Sequence, residues 1–312
     1  MAQTSDAAVG AAPMRHARLL QAATAASVAI ATLLILGKLV AWLFTGSVSL
    51  LSSLIDSLMD VAASLVNLVA VRHALTPPDR EHRFGHGKAE PLAGLAQAAF
   101  ITGSALFLLV EAVHRLVTPR PIEAGAIGIA VMAVSMALTI GLVLFQNFVV
   151  RRTGSTAIDA DALHYRTDVM VNGAVIVAIL LSDRFGWTWA DPVFALAIVV
   201  YILVGATRIA RRSLDLLMDR EFAEADRARI RDIVLDHPDS RNMHELRTRS
   251  SGVQPFIQFH LELDAHLSLL RAHEIADEIE ARVKAAFPGA EVIIHQDPAG
   301  FEAPPASLAS GP

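Results

Sequence analysis

With 312 residues, a positive mean hydropathy and 54% hydrophobic residues, the chain is too apolar for an ordinary soluble domain, so much of it belongs in a membrane. The net charge of −5 is mild and argues against a nucleic-acid partner. The chain has no cysteine, which excludes disulfides and thiolate sites, and any metal chemistry must use histidine and carboxylate.

Residues 1–14 are small and polar and are expected to be disordered. Arg15 and Arg18 precede an apolar run that continues to Phe44, which reads as a membrane anchor rather than a cleaved leader. Hydropathy predicts six membrane-spanning helices, at about 18–44, 47–71, 91–117, 123–150, 157–182 and 190–210. An even number puts both termini on one side. With the N-terminus inside, the inner connections collect Arg15, Arg18, Arg72, Arg80, Arg83, Lys88, Arg151, Arg152, Arg208, Arg211 and Arg212. The outer connections hold only Arg115, Arg120 and Arg184. Positive charge concentrates inside, so both termini are expected in the cytoplasm. Lys38 falls near the outer end of the first span and is expected to snorkel.

Two of these helices carry acids where acids are expensive. The second contains Asp56 and Asp60, and the fifth contains His164 and Asp168, both pairs spaced i, i+4. That spacing is about 400° of rotation and about 6 Å of rise, so each pair shares a face. Asp60 precedes Arg72 by twelve residues and His164 follows Arg152 by twelve, about 18 Å in each case. The pairs therefore sit at similar depth on antiparallel helices. Three carboxylates and an imidazole suit a divalent transition metal in tetrahedral coordination. An empty site with three ionised carboxylates is costly in low dielectric, so it should hold protons until a metal displaces them. Isolated polar residues in spans also serve as helix–helix contacts, which is the expected role of Asn67 and Asn172. Gly94, Ala98, Gly103 and Ala105 offer a small surface for close packing in the third span.

The loop after the second span contains Asp79, His82 and His86, spaced so that the three can converge on one ion. Past Arg212 the pattern changes to a small α+β domain: a helix over 221–235, strands over 243–249 and 255–264 around a Ser251-Gly252 turn, a helix over 266–287 and a strand over 291–297. Strand alternation turns His295 and Asp297 to one face, with His244 and His260 on the other two strands. His237 and His266 are expected at the surface, and the tail from Phe301 is expected to be loose.

The stretches TGSVSLLSSLIDSLMD, HRFGHGKAEPLAGLAQAAFITGSALFL, DADALHYRTDVMVNGA, LRTRSSG, FIQFHLEL and VIIHQDP occur in that order from about Arg18 to Pro298. In them the chain resembles the cation diffusion facilitator family, in particular its bacterial zinc and ferrous-iron efflux members. The resemblance implies a homodimeric, proton-coupled antiporter of the bacterial inner membrane, with a six-helix transmembrane bundle over 15–212 and a ferredoxin- or metallochaperone-like cytoplasmic domain over 213–300. Its expected cargo is Zn2+, with Cd2+ and Fe2+ as further candidates. Asp56, Asp60, His164 and Asp168 match the family's transport site. Asp79, His82 and His86 match a second metal site facing the cytoplasm. His244, His260, His273, His295 and Asp297 match a binuclear site in the cytoplasmic domain, while Lys88 and Asp219 match an ion pair at the membrane junction of the dimer. Two other readings are a membrane-anchored metal sensor and an intramembrane metallohydrolase. A sensor needs no four-ligand site at mid-membrane. A hydrolase wants an open metal position and a general base, often in H-E-x-x-H, which is absent. The chain is therefore read as a transporter and not an enzyme.

Overall fold

The computed structural model describes residues 3–45, 48–117, 126–187, 189–252 and 254–301; for 3–15, 45, 48–53, 55, 56, 59, 115, 126–132, 179, 182 and 183 it describes the backbone alone. The chain divides into a helical unit over His16–Leu214 and a second unit that groups the residues up to Arg15 with those from Asp215 onward.

Six long helices appear where the hydropathy places them: α1 (Gln3–Thr45), α2 (Val48–Ala74), α3 (Ala89–Val117), α4 (Ala126–Thr153), α5 (Thr156–Phe185) and α6 (Ala190–Leu217). Helix α1 starts earlier than expected, so residues 3–14 are helical rather than disordered. Ala7, Ala8, Ala11 and Ala12 favour helix strongly, and they outweigh Gly10 and Pro13. The expected loose tail lies, beyond Phe301, outside the described residues.

Among the described residues, four of the six helices are long and apolar enough to cross a membrane on length and composition: those over His16–Phe44, Ala89–His114, Ala133–Thr153 and Ala190–Leu217. The other two, α2 and α5, are 27 and 30 residues long. They are the helices whose apolar runs are broken by Asp56, Asp60, His164 and Asp168. Outward-facing Leu33, Leu36, Phe44, Phe107, Val110, Leu144 and Val200 leave large apolar surfaces exposed, as a hydrocarbon surround permits and water does not.

The helices pack through small side chains. Ala98, Ile101 and Ala105 of α3 meet Ala160 and Leu163 of α5 and Ile198, Ile202 and Ala206 of α6 in one buried cluster. Gly94 packs as its size suggests, since a Cβ there would come within 2.9 Å of Ser213 Oγ and 3.3 Å of the Thr156 backbone. Gly103 does not, because nothing lies within 4 Å of where its Cβ would be. Two residues join α4 to α5, which fixes them as antiparallel neighbours. Gly154 ends α4 at φ +69°, a conformation suited to glycine, and its carbonyl accepts from Arg212 Nη2 at 2.7 Å. The Ser155 hydroxyl then accepts from Ile158 N at 3.2 Å, and Glu90 Oε1 accepts from Thr156 N at 3.1 Å, capping the start of α5. This anchors the helix that carries His164 and Asp168.

The C-terminal unit comprises α7 (Glu224–Leu235), β1 (Asn242–Ser251), β2 (Gln254–Leu263), α8 (Leu269–Ala286) and β3 (Glu291–Pro298). The sheet order is β1-β2-β3, with β1 antiparallel and β3 parallel to β2. The β1–β2 hairpin turns through Gly252 at φ +60°. Helix α8 makes the crossover to β3, capped by Ser268 accepting from Arg271 N at 3.3 Å. Ile275, Ile279 and Val283 form one stripe of α8 and pack with Ile230 and Val234 of α7 against Ile257, Phe259, Leu261 and Leu263 of β2. The even-numbered residues His260 and Glu262 of β2 therefore face away from the helices.

Candidate metal centres

On α2 and α5 the matched depth becomes contact. His164 Nε2 lies 3.0 Å from Asp60 Oδ1 and 3.9 Å from Asp168 Oδ2. One ligand atom from each of these three residues lies within 4.8 Å of the others, a spacing that one ion can bridge. His164 is 8% exposed. The Asp56 side chain lies outside the described residues. The group opens onto a cavity of about 690 Å³, which Ser104, Thr139, Thr167 and Asn172 also line. Asn172 therefore borders the cavity, whereas Asn67 reaches across to the Ala157 carbonyl at 3.4 Å as a helix–helix contact.

Two residues near this centre were not recognised from sequence. Asp161, 0% exposed, accepts from Ser27 Oγ at 2.6 Å, Gln146 Nε2 at 2.7 Å and Gln97 Nε2 at 3.3 Å, joining α5 to α1, α4 and α3. Its sequence signal was a third acid seven residues before Asp168, on the same helical face, with glutamines inside two other apolar runs. Lys38 was expected to snorkel outward. Instead its Nζ donates to Ser57 Oγ at 2.6 Å, and both residues line the cavity.

In the connection after α2, Asp79 Oδ1 lies 3.4 Å from His82 Nδ1, and Asp79 Oδ2 lies 3.3 Å from His86 Nε2. Asp79 Oδ1 also accepts from the backbone N–H groups of His82 and Glu81, at 2.6 and 2.9 Å. The His82 backbone bond is the main reason its carboxyl is held below the ordinary value. The His73 ring lies 4.6 Å from that of His86, a neighbour that sequence reading passed over.

The third group is laid out by strand register. His244 pairs with His260, and His260 pairs with His295, so three imidazoles form one row across the sheet. Their rings are 5.0 and 4.6 Å apart. Asp297, 4% exposed, faces both sides of this row. Its Oδ2 lies 2.8 Å from His260 Nδ1 and 3.5 Å from His244 Nε2, and its Oδ1 lies 3.0 Å from His295 Nε2. A carboxylate so placed can bridge two ions. Glu262 Oε1, 3.1 Å from His244 Nδ1, orients that ring through its second nitrogen. His273 does not join this group within the chain. It is 64% exposed on α8 and faces Asp277 Oδ2 at 3.6 Å. His237, expected at the surface, is buried: its Nε2 lies 3.2 Å from Glu278 Oε2 and its Nδ1 accepts from Asp239 N at 3.3 Å. Asp219 lies 3.5 Å from Arg249 Nη1 within the C-terminal unit.

A membrane bundle with a carboxylate–imidazole group among its helices and a domain whose sheet gathers histidines and an aspartate that could hold a metal are the features of a metal transporter, and the chain belongs to the cation efflux, or cation diffusion facilitator, family. Residues 24–218 match the cation efflux transmembrane domain, and 222–299 match the cytoplasmic domain of cation efflux proteins. The chain is 50% identical over 283 residues to the cation-efflux pump FieF of Klebsiella pneumoniae, covering 91% of this chain and 94% of that one. FieF of Salmonella paratyphi A shows the same identity and coverage. Among solved structures, the zinc form of the transporter CzrB aligns with 27% of this chain and 98% of its own, at 30% identity and a TM-score of 0.26. The protein is thus a cation efflux transporter of the membrane, not an enzyme.

Proposed function

We propose that the protein exports divalent transition-metal ions, zinc foremost with cadmium and ferrous iron as further substrates, from the cytoplasm in exchange for protons. The observation that carries this reading is the convergence of Asp60, His164 and Asp168 on one point of a cavity among membrane helices. Asp56 completes the shell, one helical turn before Asp60. A shell of three carboxylates and one imidazole, without sulfur, favours zinc-like ions over copper(I). The carboxylates take up protons when the metal leaves and must shed them to bind it again, so metal and proton fluxes run in opposite directions.

Asp79, His82 and His86 form a site that meets metal on the cytoplasmic side. His244, His260, His295 and Asp297 hold metal in the C-terminal domain, where His273 contributes only across a dimer. The protein works as a homodimer in the bacterial inner membrane with both termini cytoplasmic, and Lys88 with Asp219 forms the junctional ion pair. The distribution of Arg and Lys among the connections supports that orientation.

The deciding experiment is zinc uptake into proteoliposomes under an imposed pH gradient, with and without a protonophore. Flux that requires the gradient supports antiport. Undiminished flux after its collapse refutes proton coupling and points to a channel.

A further inference from the structure

Two close contacts set the register of α5 against α6. Gly94 lies against both Thr156 and Ser213, and Gly205 abuts Leu163, where a Cβ would come within 2.8 Å of Leu163 Cδ2. The helices are therefore antiparallel, with Thr156 level with Ser213 and Leu163 level with Gly205. Beside the second contact lies a separate cavity of about 210 Å³, lined by Asp159, Leu163 and Arg166 of α5 and by Tyr201, Val204 and Arg208 of α6. Arg166 is ten residues above Thr156, about 15 Å, and Arg208 five above Ser213, about 7.5 Å. Helical side chains lean toward their own N-terminus, so on antiparallel helices these two stems lean toward each other. Both guanidinium-bearing residues accordingly line one cavity.

We propose that this cavity binds the headgroup phosphate of an anionic phospholipid, from the leaflet that is cytoplasmic in the orientation proposed above. Basic pockets between membrane helices on that side suit anionic headgroups. Arg166 and Arg208 against Asp159 leave one net positive charge, which a singly charged headgroup neutralises. A zwitterionic lipid brings its own ammonium, and the acid that could receive it is engaged: Asp159 Oδ1 lies 3.6 Å from Arg166 Nη2, which also donates to Asn147 Oδ1. The surroundings favour a lipid over free phosphate. Tyr201 and Val204 share a face of α6 with Arg208, and with Val200 they leave exposed apolar surface running from the cavity toward mid-membrane. An acyl chain attached to the bound headgroup covers that surface, and a free anion does not. The bound lipid bridges α5, the helix of His164 and Asp168, to α6.

The test is native mass spectrometry of the full-length protein released from detergent, titrated with phosphatidylglycerol, phosphatidylcholine or inorganic phosphate. Phosphatidylglycerol should bind at least fivefold more tightly than phosphatidylcholine, about the worth of one basic residue near a membrane surface. Arg208→Gln should weaken phosphatidylglycerol binding about fivefold. Arg211→Gln, at the same end of α6 but outside the cavity, should leave it within about twofold of wild type. Unchanged binding in Arg208→Gln overturns the inference. An equal loss in Arg211→Gln also overturns it, since the attraction is then a diffuse one to the basic helix end. Equal binding of phosphatidylcholine removes the charge recognition, and displacement of phosphatidylglycerol by inorganic phosphate removes the lipid. If Arg208→Gln does not purify as a monodisperse protein, Val204→Trp decides. It places bulk at the cavity wall without altering charge, so it should weaken phosphatidylglycerol binding severalfold, and wild-type binding there overturns the site.

Discussion

The membrane helices and the C-terminal sheet both bring histidine and aspartate together, but they do so by different mechanics. On the helices, His164 and Asp168 come from α5 and Asp60 from α2, and their side chains meet beside a cavity of about 690 Å³. On the sheet, backbone hydrogen bonds fix the row His244, His260 and His295, and Asp297 lies buried against it. A site divided between two packed helices loses its shape when they shift. A site laid along a hydrogen-bonded ladder cannot change without breaking the sheet. The first arrangement suits an ion that must be let go, and the second suits one that stays.

The largest effect is expected where the contrast is sharpest. Asp168→Ala or Asp60→Ala should reduce zinc flux at least 100-fold with the protein still folded, because a missing carboxylate opens the shell. Near-normal flux in either variant would break the comparison on the membrane side. On the other side, zinc should raise the melting temperature of the isolated domain from Arg220 to Pro298 by about 10 °C or more and shift its sedimentation to a dimer. Asp297→Ala should abolish both responses, and a zinc-insensitive wild-type domain would mean that the sheet holds no structural ion. A subtler change should appear with His164→Asp, which replaces imidazole by a harder ligand. It should move preference from zinc toward manganese by about tenfold in competitive uptake. An unchanged order would put selectivity in the packing of α2 and α5 instead.

The smallest effect concerns Asp79. Its carboxyl is depressed below the ordinary value of 3.8, chiefly by the backbone N–H of His82. A depressed acid contributes order above its unfolded value and loses it as pH falls through the lower folded one. Protection of the Glu81 and His82 amides, relative to their unstructured exchange rates, should therefore hold down to about pH 4 and fall below it. Asp79→Asn should remove that acid dependence.

Helix geometry explains what the sequence revealed of these sites. Spacing of i, i+4 converts directly into a shared face, and counting from the flanking arginines converts into depth, so Asp60 and His164 could be paired before any coordinates. Strand alternation likewise put His295 and Asp297 on one face, but the registers that align three histidines depend on hydrogen bonding between distant segments. Asp161 was missed for the same reason, since its partners Ser27, Gln97 and Gln146 lie on three other helices. Lys38 was misread because a lysine near a helix end usually reaches for water, and only packing reveals the Ser57 hydroxyl closer at hand. His237 was misjudged because nothing local announces Glu278, forty-one residues later.

The buried Asp161 also bears on how the molecule is built. An aspartate at the centre of a single inserting helix costs about 3 kcal/mol, and α5 adds His164, Arg166 and Asp168 to that burden. Such a helix is a poor candidate to enter the bilayer by itself. The groups that receive Asp161 belong to α1, α3 and α4, all synthesised earlier. Biogenesis is thereby given an order: these three helices gather first and present a hydroxyl and two amides, and α5 partitions into lipid only as it docks against them. A nascent chain lacking one of those partners would leave α5 stranded at the membrane surface, exposed to quality control before any metal has been carried.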